Sequence, residues 1–200
     1  MSARIGIFGG TFNPPHIGHV AAAEAFADAL NLDELIIMPD YLPPHKDYVG
    51  DVTPEQRLEM CRLAFSHIKN SKVSELEILR GGKSYTSDTL SSLESPDTHL
   101  YFLCGTDMFL TLHSWHAPEI IFNLATICYV RRESDRSNAK LIDEHTQMYK
   151  EKYNADIIFI DGEVIDISSS ELRSELKLDG VSAHIPDNVM IYIKENGLYT

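Results

Sequence analysis

Gly9-Gly10-Thr11-Phe12-Asn13-Pro14-Pro15-His16-Ile17-Gly18-His19 lies between a short apolar run, residues 5–8, and an alanine-rich run, residues 20–30. The first run reads as a strand and the second as a helix, so the eleven residues form a strand-to-helix turn. A chain that hands a strand straight to a helix in this way is constrained toward an α/β fold. Glycines at the turn let the backbone approach a ligand closely. The first N–H groups of the helix point into the turn and favour an anion.

His16 and His19 stand three apart, which puts both imidazoles on one face if the helix begins at Pro15 or His16. From there they reach the same phosphate. An imidazole donates hydrogen bonds, and a protonated one neutralises charge growing on a phosphoryl oxygen or a departing pyrophosphate. A metal pair is the other chemical reading. No Glu stands between the histidines as in the zincin pattern, and no nearby Cys or carboxylate completes a tetrahedral set. Two surface histidines beside a turn are the plain reading, against which the crowding of glycine, proline and histidine speaks.

A second anion-binding signal lies far downstream in Ile167-Ser168-Ser169-Ser170-Glu171-Leu172-Arg173. An extended apolar segment ends at Ile167, and the three serines can cap a helix beginning near Glu171 while offering hydroxyls and N–H groups to an anion. Arg173 falls in the first turn of that helix, where a cation is electrostatically misplaced unless an anion is bound. Taken alone, the segment also suits a plain serine cap with a solvated arginine.

The chain has 200 residues, 44% hydrophobic and 24% charged, which suits one domain over residues 1–200 with a C-terminal helical part from about 168. No run of 18 apolar residues and no leader-like N-terminal segment is present, so the expectation is a soluble, cytoplasmic protein without a membrane partner. Cys61, Cys104 and Cys128 lack C-x-x-C spacing, sit in apolar contexts and read as buried thiols. A net charge of −13 argues against a nucleic-acid surface. It also opposes anionic substrates, so positive groups must gather at the site. The candidates are His16, His19, Lys46, Arg57, Arg132 and Arg173.

Apolar strands alternate with helical patterns along the chain. Strands are expected over 4–8, 34–39, 72–78, 99–104, 125–130 and 156–159. Helices are expected over 18–30, 54–68, 87–93, 118–123, 138–153, 169–176 and 186–196, with a further short helix ahead of Trp115. That order predicts a doubly wound, mostly parallel α/β sheet, whose ligands bind beyond the C-terminal strand ends. The two motifs, Gly105 to Asp107 and Arg132 all follow strands. Residues 40–53, with Pro43, Pro44 and Gly50, form the longest expected loop and a candidate lid. Gly6-Ile7-Phe8-Gly9-Gly10 lacks G-x-G-x-x-G spacing, which leaves an oxidoreductase reading little support. Gly82-Lys83-Ser84 imitates the tail of a P-loop, yet Glu77 occupies the place of its first glycine.

Gly10 to His19 resembles the first signature of the nucleotidyltransferase superfamily with the T/H-x-G-H motif, whose members transfer AMP or CMP from a nucleoside triphosphate. Residues 167–173 resemble its second, I-S-S-T-x-x-R, with Ser in place of the commoner Thr. Four more segments are similar to nicotinate mononucleotide adenylyltransferases. They are Pro39 with Pro43-Pro44-His45-Lys46; Arg57 with Met60; Ser84-Tyr85-Thr86-Ser87-Asp88-Thr89-Leu90; and Gly105-Thr106-Asp107 with Leu112 and Trp115. Ile185-Pro186, Val189, Tyr192-Ile193 and Leu198-Tyr199 fit the family's ending, so the likeness runs nearly end to end. The chain departs from it at Arg131-Arg132-Glu133-Ser134, where R-P-G is commoner, and at Asn13, where many members carry Asp.

The resemblance implies transfer of AMP from ATP to nicotinate mononucleotide, giving nicotinate adenine dinucleotide and pyrophosphate, with Mg²⁺ held mainly by ATP phosphates and no residue assigned as a metal ligand. It implies catalytic roles for His16, His19 and Arg173. Gly9, Gly10, Thr11, Phe12, Gly18, Gly105, Asp107, Ile167, Ser168 and Ser169 would bind ATP, the C-terminal part completing that site. Lys46, Tyr85, Thr86, Trp115 and Arg132 would bind the acceptor. A flat aromatic such as Trp115 can stack on a pyridine ring, and equally can pack against the core. A phosphopantetheine or cytidylyl transferase would share both signatures while leaving residues 85–90 and Trp115 unexplained, and a nucleotide sensor would bind ATP without releasing pyrophosphate.

Overall fold

A computed structural model describes residues 2–44, 52–131, 137–161 and 167–200. Its sheet has six parallel strands in the order β3-β2-β1-β4-β5-β6, formed by β1 (Ala3–Gly10), β2 (Glu34–Pro39), β3 (Ser71–Val73), β4 (Thr98–Cys104), β5 (Ala125–Arg131) and β6 (Ile157–Asp161). Parallel pairing requires a crossover between strands, and helices fill the crossovers. These are α1 (Ile17–Leu30), α2 (Pro54–Phe65), α3 (Leu76–Arg80), α4 (Thr86–Leu93), α5 (Thr106–Thr111), α6 (Pro118–Leu124) and α7 (Ala139–Tyr153). After β6 follow α8 (Ser169–Asp179) and α9 (Asp187–Glu195). The strand order reverses between β1 and β4. That is the switch point of a doubly wound sheet, the architecture expected from the sequence.

Period-two alternation divides the core between the two faces of the sheet. Phe8, Leu35, Ile37, Leu103, Cys128 and Val130 point into one layer, where Phe26 of α1, Met60 of α2, Leu172 of α8 and Val189 of α9 meet them. Ile7, Ile36, Met38, Phe102, Ile127 and Tyr129 point into the other, under Leu90 of α4, Phe109 of α5, Ile121 of α6 and Ile142 of α7. The inner strands are covered on both sides, which is why β2, β4 and β5 are nearly continuous in apolar residues, whereas the short edge strand β3 carries an exposed Lys72.

Two local expectations are corrected. The strand expected over 72–78 stops at Val73: Ser74 N–H gives its hydrogen to Ile37 O at 2.9 Å, and Ser74 Oγ then accepts from Leu76 N–H at 3.2 Å and opens α3. The C-terminal helix begins at Ser169, as in the range 169–176 and ahead of the start near Glu171 on which Arg173 would fall in the first turn; Arg173 lies one step beyond that turn. The short helix expected before Trp115 is α5, continued by a 3-10 turn, Leu112–Ser114. Lys46, with residues 45–51 of the loop 40–53, and Arg132 lie outside the described residues. Among those described, no helix is long and apolar enough to cross a membrane.

Gly6 on β1 is where α1 and the start of β2 approach the sheet most closely. A Cβ there would run into Leu32 Cδ1 and lie 2.8 Å from Phe26 Cε1. Gly6→Ala is therefore expected to cost about 1–3 kcal/mol, the range for overpacking, read as a lowered urea midpoint with an unchanged slope. The three cysteines are buried and unpaired with one another, and burial pushes every thiol upward, Cys128 to about 12. Native protein at pH 8 should leave all three unmodified by a thiol reagent that labels them after unfolding; fast labelling of the folded chain would contradict their placement.

Candidate active site

The β1–α1 turn is built by an aromatic residue in an unusual conformation. Phe12 has φ of 47°, the left-handed region that a bulky side chain rarely adopts, and its ring is buried. The surroundings hold it there. Phe8, Phe65 and His19 meet the Phe12 ring edge-on, with centroids at 5.3, 5.7 and 5.0 Å. Gly10 carries no side chain beneath it, and a Cβ there would stand 3.1 Å from the ring.

After the turn, His16 is the N-cap of α1 in an extended conformation, and His19 is in its first turn. The two imidazoles are stacked, with centroids 3.7 Å apart and planes inclined at 29°. His19 Nδ1 accepts from the His16 backbone N–H at 3.3 Å. An Nδ1 that accepts carries no proton of its own, which leaves the proton of a neutral His19 on Nε2. The expected convergence of the two rings is observed, although the helix begins at Ile17 rather than Pro15 or His16.

Distant parts of the chain hold the turn's backbone. Thr11 O accepts from Arg57 at 2.7 Å, Asn13 O from Arg173 at 2.8 Å, and Pro14 O from Ser169 Oγ at 3.1 Å. Tyr199 OH donates to Asn13 Oδ1 at 2.5 Å, and Ile17 N–H to His184 O at 2.9 Å. The two sequence motifs thus meet directly. Ser168 caps α8 through a capping box, accepting from Glu171 N–H at 3.2 Å while its own N–H reaches the Glu171 carboxylate at 3.1 Å. Arg173 also donates to Ser170 Oγ at 3.0 Å. Ile167 packs against the core.

Arg57, expected among the cations that meet substrate, takes another role. It is 0% exposed and forms an ion pair with Asp40 at 3.0 Å. The same guanidinium donates to Asp40 O at 2.7 Å and Tyr41 O at 3.2 Å, and Asp40 accepts from Thr11 Oγ1 at 2.7 Å. Its planar fork suits several carbonyls at once, and complete burial removes it from any solvent-borne phosphate. Asp40 is a residue the sequence analysis missed; one carboxylate after a strand gives no signal of burial.

Beyond the C-terminal end of β4, Gly105 is the N-cap of α5, and Asp107 stands exposed in its first turn. Gly9, Gly10 and Gly18 flank the neighbouring turn. Tyr85 caps α4, and its ring lies 4.3 Å from that of His116, with the planes inclined at 32°. Trp115 Nε1 donates to Thr111 Oγ1 at 3.3 Å, and the indole meets Phe102 edge-on at 6.3 Å. Tyr85 is brought against His116, the residue that follows Trp115 in the chain. His116 joins it without any prior sequence signal. Among the described residues no group of three His, Cys, Asp or Glu could hold a metal ion.

Residues 7–175 match the family described as cytidylyltransferase-like. A probable nicotinate-nucleotide adenylyltransferase of Lactiplantibacillus plantarum is 37% identical over 199 residues, spanning 98% of this chain and 88% of that protein. One of Citrifermentans bemidjiense is 37% identical over 213 residues, 98% of both chains. Among solved structures, Plasmodium falciparum nicotinic acid mononucleotide adenylyltransferase complexed with NaAD superposes with a TM-score of 0.75. It covers 98% of this chain and 97% of that one at 18% identity, a likeness of fold.

Arg57→Ala would strand Asp40 in the interior and release three backbone carbonyls. The expected loss is about 3–5 kcal/mol in urea unfolding, the range for removing one partner of a buried ion pair. Arg57→Lys should lose less, since it keeps the charge and forfeits the fork. A change below about 0.5 kcal/mol in Arg57→Ala, the range of an ordinary surface substitution, would contradict the clamp.

Proposed function

The chain belongs to the nicotinate-nucleotide adenylyltransferase family of cytidylyltransferase-like proteins, and we propose that AMP passes from ATP to nicotinate mononucleotide at the C-terminal edge of its sheet. The products are pyrophosphate and nicotinate adenine dinucleotide, which makes the enzyme a nucleotidyltransferase of NAD biosynthesis. One observation supports this location above others: the Ser169 and Arg173 side chains are hydrogen-bonded to the backbone of the turn that carries His16 and His19.

In this reading the phosphate of nicotinate mononucleotide attacks the α-phosphorus of ATP in line, and the bond to pyrophosphate breaks. A phosphate monoester is already a nucleophile, so the enzyme contributes position and charge stabilisation and needs no strong base. His16 and His19 touch the triphosphate where charge gathers on the transferring and leaving oxygens. Gly9, Gly10, Thr11, Phe12 and Gly18 shape the turn under the nucleotide, and Gly105 and Asp107 face its ribose. Ile167, Ser168, Ser169 and Arg173 hold the outer phosphates, so the part from 168 to 200 completes the ATP site. Tyr85, Thr86 and Trp115 receive the pyridine end of the acceptor, with Lys46 and Arg132 proposed for its phosphate.

Enzymes of this class use a divalent metal with ATP, and Mg²⁺ is our assignment. Bound to the triphosphate it supplies charge neutralisation. A turn built from backbone amides and imidazoles, with no described carboxylate cluster, suits an ion that arrives on its substrate and keeps several waters.

Pyrophosphate release with Mg-ATP should be fastest with nicotinate mononucleotide when nicotinamide mononucleotide and phosphopantetheine are compared under the same conditions. Preference for another acceptor would overturn the acceptor assignment, and ATP binding without release would leave a sensor. His16→Ala and His19→Ala are each expected to lower kcat by about 10²-fold, the effect of removing one donor to a developing oxyanion, with the circular dichroism spectrum retained. Turnover at the unmodified rate in either variant would remove that histidine from the mechanism.

A further inference from the structure

One buried carboxylate has no part in the chemistry above. Glu77, on α3, is 6% exposed, and burial pushes its carboxyl above the usual range. Its Oε1 accepts from Thr89 Oγ1 at 2.5 Å, and the Thr89 N–H donates to Tyr85 O at 3.2 Å. Arg80 stands 3.8 Å from it and donates to Thr89 Oγ1 at 3.0 Å. Ser84 and Thr89 bracket the residues that present Tyr85 and Thr86.

Ser84 carries the connection further. Its Oγ accepts from Tyr41 N–H at 2.9 Å, and its own N–H donates to Leu42 O at 3.0 Å. Tyr41 O is one of the carbonyls held by Arg57. Glu77 therefore holds one end of this loop through Thr89, while Ser84 ties the other end to the ion pair that fixes the phosphate turn. A buried carboxylate is costly to the fold, and a well-packed apolar side chain would anchor α3 as well. What the carboxylate adds is direction, since it orients the Thr89 hydroxyl, which Arg80 also meets.

We propose that Glu77 is a positioning residue for the acceptor: by holding Thr89 in the first turn of α4 it sets the Tyr85–Thr86 backbone and the Tyr85 ring beside His116, and so fixes where the pyridine end of the acceptor lies. The inference rests on the assignment of Tyr85 and Thr86 to that substrate. A shift of about 1 Å there misaligns the attacking phosphate and lowers turnover by up to about 10²-fold. The ATP side, held by Arg57 and Arg173, keeps its own anchors.

The test compares steady-state constants for both substrates in Glu77→Ala, Glu77→Gln and Thr89→Val, with melting temperatures recorded alongside. Glu77→Ala is expected to raise KM for nicotinate mononucleotide about tenfold and to lower kcat, with KM for ATP within about twofold. Glu77→Gln keeps a carbonyl oxygen for the Thr89 hydroxyl and should recover most of the loss. Thr89→Val removes one hydroxyl at constant volume and should reproduce part of the acceptor effect, which keeps the comparison decisive even if Glu77→Ala does not fold. Equal rises in both KM values, or an unchanged acceptor KM in the folded variants, would overturn the role of Glu77. If the unsubstituted enzyme releases no pyrophosphate with nicotinate mononucleotide, the acceptor assignment falls, and this inference falls with it.

Discussion

The structure depends on carbonyl oxygens that a strand-to-helix turn leaves without partners. Thr11, Asn13 and Pro14 lie between β1 and α1, beyond the reach of either regular ladder, and Phe12 to His16 are buried. Buried backbone acceptors need donors, and here they come from residues 46 to 160 positions away in the chain. Two guanidinium groups and a serine hydroxyl supply them. Close approach of a substrate to this backbone requires a turn that does not move, and the long-range hydrogen bonds provide that rigidity.

The same requirement explains why the C-terminal part belongs where it does. Alpha helices 8 and 9 add apolar side chains to the layer beneath α1 and α2, which orients the start of α8 toward the turn. Ser169 and Arg173 then reach Pro14 and Asn13, Tyr199 reaches the Asn13 side chain, and His184 O takes the first N–H of α1. Asn13 occupies a position where an acid is common in similar chains. Its amide serves as acceptor to a tyrosine hydroxyl without adding a negative charge beside the place proposed for a triphosphate.

Patterns that act locally were legible in the sequence. The apolar strands, the capped helices and the two helix-opening turns follow from periodicity and end signals, and a doubly wound, mostly parallel sheet follows from alternation of strands and helices. What failed to show was the direction in which a charged side chain points. Residues 72–78 read as a strand, which gives no signal that Glu77 is enclosed; Ser74 opens a helix there instead and the carboxylate is buried. Arg57 follows a capped helix start like any solvated arginine, and only the packing of α2 against the end of β2 reveals that it is enclosed. His116 gives no signal, because its ring partner Tyr85 lies 31 positions earlier. In each case the partner is distant in sequence, and charge alone does not distinguish a surface residue from an internal clamp.

The buried cation also bears on how an acidic chain handles anions. With a net charge of −13, the protein as a whole repels a triphosphate. At physiological ionic strength that repulsion fades over about 8 Å, whereas hydrogen-bond donors at a turn act at contact distance. Arg57 neutralises Asp40 internally and so adds little net field at the surface. Arg173 differs in being partly exposed; the described bonds engage it with Asn13 O and Ser170 Oγ, and a guanidinium has five N–H donors. The two arginines thus divide the work: Arg57 holds the turn from inside, and Arg173 holds it from a partly exposed edge, where the outer phosphates are proposed to bind. Local geometry, rather than overall charge, decides which anions this sheet edge can accept.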